Sequence, residues 1–237
     1  MILVSFRNQV RNGYMCFRFA LSLAICSFLS PLSVAEEIPG WGVLVDPVGN
    51  CPVDFTKTGI SLEVPAGIHD MNPYLHQTNA PRIWQEVTGD FLFEACMLDF
   101  PRPQSKTGVN GHQSYIASGL LVWQDDGNLL RWTRSASGEA KQIYLSCEQY
   151  ENNAIVGGGN FPLEDKPVSL RVERRGDRIR MWATYDTTGW KMLLDRRCDY
   201  QRTLKVGVFG LNVTEKDVEF RFENAYLLAQ KAKEESN

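Results

Sequence analysis

The chain predicts an all-β protein, a sandwich or jelly roll built from roughly a dozen short strands. Three observations predict it. Runs of alternating apolar residues recur from Ile60 to Leu228. Turn residues separate the runs, most clearly in Gly119-Leu-Leu-Val-Trp-Gln-Asp-Asp-Gly-Asn-Leu-Leu-Arg-Trp132, which reads as strand, Asp-Gly turn, strand. No segment of helical period as long as about 11 residues interrupts them.

The N-terminal segment has a different character. Arg18 precedes an apolar run over residues 19–29, and Ser33-Val34-Ala35 places small residues at the −3 and −1 positions of an export cleavage site. Cleavage is expected after Ala35, so residues 1–35 read as a signal peptide. Met15 is an alternative start, because Arg7 and Arg11 make the preceding segment an unusually long leading region. The apolar run is shorter than the ~20 residues that span a bilayer, so no membrane insertion is expected after cleavage. Lipidation at Cys26 is disfavoured by bulky Ile25. The protein is thus expected to be exported, to a periplasm or to the outside. Of 237 residues, residues 36–228 suffice for one well-buried β domain, and residues 229–237 form a polar tail. Four of the six cysteines fall in the domain: Cys51, Cys96, Cys147 and Cys198. In an oxidising compartment they are candidate disulfide partners in any of three pairings, though Cys96 also suits a buried free thiol.

The elements follow in order. Residues 36–40 are a lead-in and residues 41–46 a first strand, closed by the turn Asn50-Cys51-Pro52. Residues 60–64 alternate as a strand. Residues 65–81 form a long loop carrying His69, Asp70, Asn72, Tyr74 and His76. Residues 82–87 and 90–98 are strands split by Thr88-Gly89. The near-continuous apolarity of the second suits a strand covered on both faces. After a polar loop at residues 101–113 comes the hairpin 115–134, then a strand at 142–147 and a flexible bend at Gly157-Gly-Gly159. Residues 168–174 and 178–185 make another hairpin. Residues 190–194, 205–211 and 218–228 complete the set.

At this point the chain resembles the concanavalin A-like jelly-roll domain found at the C-terminus of some β-xylosidases and in regulation-of-enolase-type proteins. Four regions carry the likeness: Asn79-Ala-Pro-Arg-Ile-Trp-Gln-Glu-Val-Thr-Gly-Asp-Phe91; Ser118-Gly-Leu-Leu-Val-Trp-Gln-Asp-Asp-Gly-Asn128; Val168-Ser-Leu-Arg-Val-Glu-Arg-Arg-Gly-Asp177 with Tyr185-Asp-Thr-Thr-Gly-Trp190; and Val206-Gly-Val-Phe-Gly210 with Phe220-Arg-Phe-Glu-Asn224. The resemblance implies a two-sheet sandwich with one curved face, a shape many relatives use for glycans, often without catalysis.

Three sets of residues are candidates for chemistry. Tyr74, His76, Trp84, Trp123 and Trp132 are the expected glycan-contact surface, because aromatic rings stack on the apolar faces of sugars; core packing is the competing role for each tryptophan. Glu215-Lys-Asp217-Val-Glu219 matches the Glu-x-Asp-x-Glu spacing of lichenase- and laminarinase-type glucanases, which would make Glu215, Asp217 and Glu219 a hydrolytic set. Lys216 departs from that pattern, and with Val218, Phe220 and Phe222 facing inward the acids also read as a solvated face. His69, His76 and His112 lie in loops with no metal-ligand spacing, and no metal site is expected. No cofactor is expected either, although Asp125-Asp126-Gly127-Asn128 offers oxygen ligands suited to calcium.

Several function classes are disfavoured. A net charge of −3 argues against nucleic acid as partner. The run Arg171, Arg174, Arg175, Arg178 and Arg180 reads as the solvent face of a hairpin. No Walker, dinucleotide or Gly-x-Ser-x-Gly motif occurs. Asn212-Val-Thr214 is a glycosylation sequon. The sequence therefore predicts an exported, non-catalytic carbohydrate-binding sandwich, with a secreted glycoside hydrolase or lyase, or a cell-envelope interaction module, as alternatives.

Overall fold

The computed structural model describes residues 36–138, 142–185 and 189–229; the expected signal peptide and nearly all of the tail lie outside the described residues. In chain order the strands are β1 (Glu36–Ile38), β2 (Gly42–Val45), β3 (Val53–Phe55), β4 (Gly59–Val64), β5 (Gly67–His69), β6 (Met71–Asn72), β7 (Gln77–Thr78), β8 (Arg82–Thr88), β9 (Phe91–Met97), β10 (Tyr115–Asp125), β11 (Asn128–Ser137), β12 (Gln142–Glu151), β13 (Ala154–Pro162), β14 (Val168–Arg175), β15 (Arg178–Thr184), β16 (Lys191–Arg197), β17 (Thr203–Thr214) and β18 (Val218–Ala229). Among the described residues the helical elements are two single 3-10 turns, Pro73–Leu75 and Val109–Gly111. No helix among them is long and apolar enough to cross a membrane.

The strands form two antiparallel sheets packed face to face. The larger, nine-stranded sheet runs β1-β2-β8-β17-β10-β11-β12-β13, with β5 also paired to β17. The smaller runs β16-β15-β14-β9-β18-β4-β3. Period-2 alternation decides which side chains meet between them. From the large sheet come Leu120, Val122, Leu130, Trp132, Leu145 and Val208; from the small sheet come Leu62, Phe93, Leu170, Met181, Phe220 and Phe222. Close strand approach also constrains sequence: a Cβ at Gly207 would sit 1.9 Å from the Ile83 carbonyl oxygen, so only glycine fits there.

The strands on either side of Thr88-Gly89 enter different sheets, β8 the large one and β9 the small one, and Gly89 turns the chain between them at φ 86°. Three readings of the sequence are corrected. β9 is buried on one face only, with Phe91, Phe93, Ala95 and Met97 inward and Leu92, Glu94 and Cys96 half-buried on the other side. Gly157-Gly-Gly159 is not a flexible bend. It lies inside β13, where Gly158 pairs with Glu148 and a Cβ would sit 2.3 Å from the Cys147 carbonyl oxygen. The segment 65–81 is not a plain loop: β5 continues the large sheet, and β6 and β7 form a small hairpin.

The expectation of disulfides also fails. Cys51, Cys96, Cys147 and Cys198 are all free. Burial holds the thiols protonated, pushing Cys51 and Cys147 up to about 12 and Cys198 to about 11. They act as small apolar groups rather than as cross-links. The arginine run is a neutralised surface: Arg171 pairs with Glu94, Arg175 with Glu173, and Arg178 and Arg180 with Asp195. Arg174 differs, being buried and donating to the carbonyls of Gly176, Tyr200 and Gln201.

The sequon asparagine is fully buried. Asn212 Nδ2 donates toward the carbonyls of Val64, Pro65 and Lys216, and its Oδ1 accepts from the Thr214 amide and hydroxyl. It clamps the turn between β17 and β18 and leaves no room for a glycan.

Two outcomes follow from this packing. Thiol titration without reductant should detect all four domain cysteines once the protein is unfolded; a value of zero or two would restore a disulfide. Asn212→Asp should lower stability by more than about 2 kcal/mol, read from the urea midpoint, because a carboxylate would face carbonyl oxygens in a buried site.

Candidate functional site

The outer face of the large sheet has two halves that differ. One half is a second apolar layer formed by Trp84, Ala117, Leu121, Trp123, Leu129, Tyr150, Phe209 and Leu211. The hairpin 70–79 lies across it as a strap, with Met71 and Ala80 fully buried against that layer. Asn79 holds the base of the strap: its Oδ1 accepts from the Asp70 amide at 3.0 Å, and its Nδ2 donates to the Ile68 carbonyl at 2.6 Å. At the tip, the 3-10 turn Pro73–Leu75 reaches β13.

Beyond the strap the face is polar and open. Its floor comes from outward positions of β10, β11 and β12, which cross-strand register sets side by side: Tyr115 opposite Ser137, Arg131 opposite Glu148, Thr133 opposite Ser146 and Ser135 opposite Tyr144. A cleft of about 270 Å³ sits over this floor, walled by Asp70, Asn72 and Leu75 of the strap, by His112 and Gln113, and by Asn160 of β13. A larger depression of about 800 Å³ continues from it past Gln113, Tyr144 and Asn160 toward Arg102 and Asp165.

Arg131 is the centre of the cleft. Its Nε and Nη2 both donate to Glu148 Oε2, at 2.9 and 2.5 Å, and its Nη1 donates to the Met71 carbonyl at 2.9 Å. Asp70 lies 3.6 Å from Nη1. The Tyr150 hydroxyl donates to the same Glu148 oxygen. Burial opposes the guanidinium charge, but Glu148, Tyr115, Tyr150 and Asp70 outweigh it and raise its pKa. Burial also pushes Asp70 above the usual carboxylate range, with Arg131 and the Met71 amide pulling the other way. Tyr115, Tyr144 and Tyr150 are all raised, first by burial and then by neighbours including Glu148, so none supplies a tyrosinate base.

The residues expected from sequence fall elsewhere. Trp123 and Trp132 do not share a face, since β10 and β11 place them on opposite sides of the sheet. Trp132 is fully buried between the sheets, edge-on to Phe161 at 6.0 Å, with its Nε1 donating to the Trp182 carbonyl. Trp84 and Trp123 are on the outer face, 5.4 Å apart, but the protein's own cations cover them: the Arg82 guanidinium lies 4.7 and 4.6 Å from their ring centroids, and the Lys205 ammonium 4.9 Å from Trp84. Neither offers a bare ring to a sugar. Tyr74 and His76 are exposed at the strap tip, His76 in the left-handed conformation at φ 54°.

The acid set is also dispersed. Glu215 and Asp217 belong to the turn between β17 and β18, where Asp217 Oδ1 accepts from the Ala66 amide at 2.8 Å, and Glu219 stands on the outside of the small sheet, opposite Glu63. The alternation expected over residues 215–219 is broken, because the strand starts only at Val218. Val218, Phe220 and Phe222 do face inward. In the proposed calcium turn, Asp125 Oδ1 is taken by the Gly127 amide and the Asn128 side chain. Among the described residues no group of three or more His, Cys, Asp or Glu is arranged to hold a metal. His69 is buried beside Cys51, 3.9 Å from its sulfur, with its pKa lowered by burial against the opposing pull of Asp46.

Sequence reasoning missed Tyr115, Arg131, Tyr144 and Glu148. The available signal was the polar half of the alternation in residues 131–150, where Arg, Thr, Ser, Tyr, Ser and Glu stand between apolar inward positions.

No family model matches the chain, and no curated protein matches it. Solved structures do. A functionally unknown protein from Saccharomyces cerevisiae superimposes with TM-score 0.64 at 15% identity, covering 81% of this chain and 98% of that one. The GH43 BlXynB protein from Bacillus licheniformis matches with TM-score 0.54 at 13% identity over 72% of this chain, which spans only 33% of that protein. An alginate lyase from Klebsiella pneumoniae matches with TM-score 0.53 at 10% identity, covering 75% of this chain and 84% of that one. Likenesses at this level of identity establish the fold: a concanavalin-like, two-sheet jelly-roll sandwich.

His69 has a measurable consequence for stability. An unfolded histidine takes up its proton near pH ~6.5, whereas folded His69 does so only at lower pH. The unfolded state therefore binds more protons as pH falls below that value, and stability falls with it. Urea unfolding across pH 7.5 to about 5 should show this loss, and His69→Gln should lessen it; an unchanged slope in the variant would assign the loss to other groups.

Proposed function

We propose that this protein is an exported, non-catalytic carbohydrate-binding sandwich of the kind that accompanies β-xylosidases and occurs in regulation-of-enolase-type proteins. Glycan would bind in the cleft over Tyr115, Arg131, Tyr144 and Glu148. One observation carries this reading: a half-open polar cleft with a rigid hydrogen-bonding floor, on the same sheet face whose other half is sealed by the strap. Such a floor fixes orientation by hydrogen bonds to several hydroxyls, and the neighbouring depression has room for further sugar units. Structural likeness to a GH43 protein and to an alginate lyase supports carbohydrate as the ligand class. The signal-like residues 1–35 support export.

The non-catalytic part rests on the electrostatics. Glu148 is held by Arg131 and Tyr150, and the tyrosines stay protonated through burial. The cell-envelope module reading predicts that such a cleft is absent, so the cleft favours a small-ligand surface instead.

Titration calorimetry against a panel of oligosaccharides tests the reading, with released reducing sugar and unsaturated product followed in parallel. Binding without release is expected, with Tyr144→Ala weakening it about tenfold or more and Trp190→Ala, just before β16, leaving it unchanged. Product release would overturn the non-catalytic assignment. Binding that survives Tyr144→Ala would move the site elsewhere.

A further inference from the structure

We infer that the cleft selects neutral, hydroxyl-bearing sugars and rejects uronates and other anionic glycans. This rests on the glycan-binding reading above and adds the chemical class of the ligand.

Thr133 Oγ1 donates to the Ser146 carbonyl, at 3.2 Å, and a hydroxyl has one proton. In the 2.8 Å contact between Thr133 and Ser135, Ser135 must therefore donate. In the 2.8 Å contact between Ser135 and Tyr115, Tyr115 must then donate. The chain of hydroxyls has a single direction, running away from the cleft into the sheet. Tyr144 is hydrogen-bonded to Tyr115 and, because Tyr115 has spent its proton on Ser135, Tyr144 donates, so the lone pairs left facing the cleft are those of the Tyr144 oxygen. Tyr150 has likewise given its proton to Glu148.

The carboxylates complete the pattern. Arg131, the two Glu148 hydrogen bonds and the Met71 carbonyl account for Glu148 Oε2 and for the guanidinium's inward edge. Glu148 Oε1 and Asp70 Oδ2 accept no hydrogen bond from the described residues, and both groups line the cleft. Two carboxylates thus share one guanidinium. The floor presents acceptors and a net charge of −1 from Asp70, Glu148 and Arg131, with His112 at the rim. Sugar hydroxyls are donors, and a hydroxyl donating to a carboxylate makes a short, charge-assisted bond. A uronate would bring a third carboxylate to a site where Arg131, the one buried cation among its described lining residues, is already shared, and that mismatch is the discriminating element. Arg102, at the far end of the larger depression, is paired with Asp165 at 2.6 Å.

The test is a titration at low ionic strength with neutral hexasaccharides built on xylose, glucose, mannose and fructose, and with hexauronates from alginate and polygalacturonate. At least one neutral ligand should bind about tenfold or more tightly than either uronate. Added salt should leave neutral binding unchanged and improve any residual uronate binding by screening repulsion. Glu148→Gln should weaken the neutral ligand and narrow the gap, since it removes one negative charge from the floor. Tyr144→Phe, which keeps the ring but deletes the hydroxyl at the open end of the chain, should weaken the neutral ligand alone, with circular dichroism confirming that each variant folds. A uronate that outcompetes every neutral sugar, with affinity falling as salt rises, overturns the inference and leaves the glycan-binding reading standing. Binding of neither class overturns both.

Discussion

A β-sheet has two faces, and a partner sheet covers only one. That constraint organises this molecule. The nine-stranded sheet buries its inner face against the seven-stranded one, and its central strands are apolar on the outer face too: Ala117, Leu121, Phe209 and Leu211 cannot be left in water. The strap answers that need by inserting Met71 and Ala80 above them. Where the strap ends, the outward residues become Arg131, Thr133, Ser135, Ser146 and Glu148, and the face opens into a cleft. The site is thus the uncovered remainder of a surface that had to be covered, and its wall is the covering element itself. Arg131 joins the two halves, since one side chain binds the strap through the Met71 carbonyl and the floor through Glu148.

Buried arginines recur as a means of tying irregular chain to the sheets. Arg82 donates to the Thr78 and Ala80 carbonyls at the return of the strap while lying against Trp84 and Trp123, and burial pulls its pKa down to about 10. Arg134, fully buried between the sheets, donates to Asp165 at 2.7 Å and lies 4.4 Å from the Phe100 ring centroid. Arg174 binds the Tyr200, Gln201 and Arg202 carbonyls of the loop that leads to β17. A guanidinium suits this role because its planar fork serves several acceptors at once and its faces pack on rings. The partners of Arg131 also line the smaller cleft, so the same device that holds the fold sets the polarity of the cleft floor.

The likenesses to solved structures concern backbone architecture, and at 10–15% identity they leave the floor residues of this cleft to be argued from its own geometry. That geometry departs from a site built on bare tryptophans. Trp84 and Trp123 lie against cations and Trp132 is inside the core, while the cleft floor is built from hydroxyls and charges.

Local sequence determined much of this protein. Alternation and Asp-Gly or Arg-Gly-Asp turns located β4, the β10–β11 and β14–β15 hairpins, β17 and β18, because period-2 patterning and turn chemistry act over a few residues. The same alternation correctly placed Val218, Phe220 and Phe222 inward. Tertiary structure decided the rest. Nothing local tells β8 and β9 to enter different sheets, since that depends on which distant strands supply their partners. Trp123 and Trp132 look equivalent in sequence, yet an odd offset across the hairpin sends one to each face. The cysteines are free, and whether two thiols meet is set by the folded arrangement and not by their spacing in the chain. The cleft required Asp70, Tyr115, Arg131 and Glu148 to converge from the strap and three strands, and cross-strand register, a property of the folded sheet rather than of any one segment, brings them together.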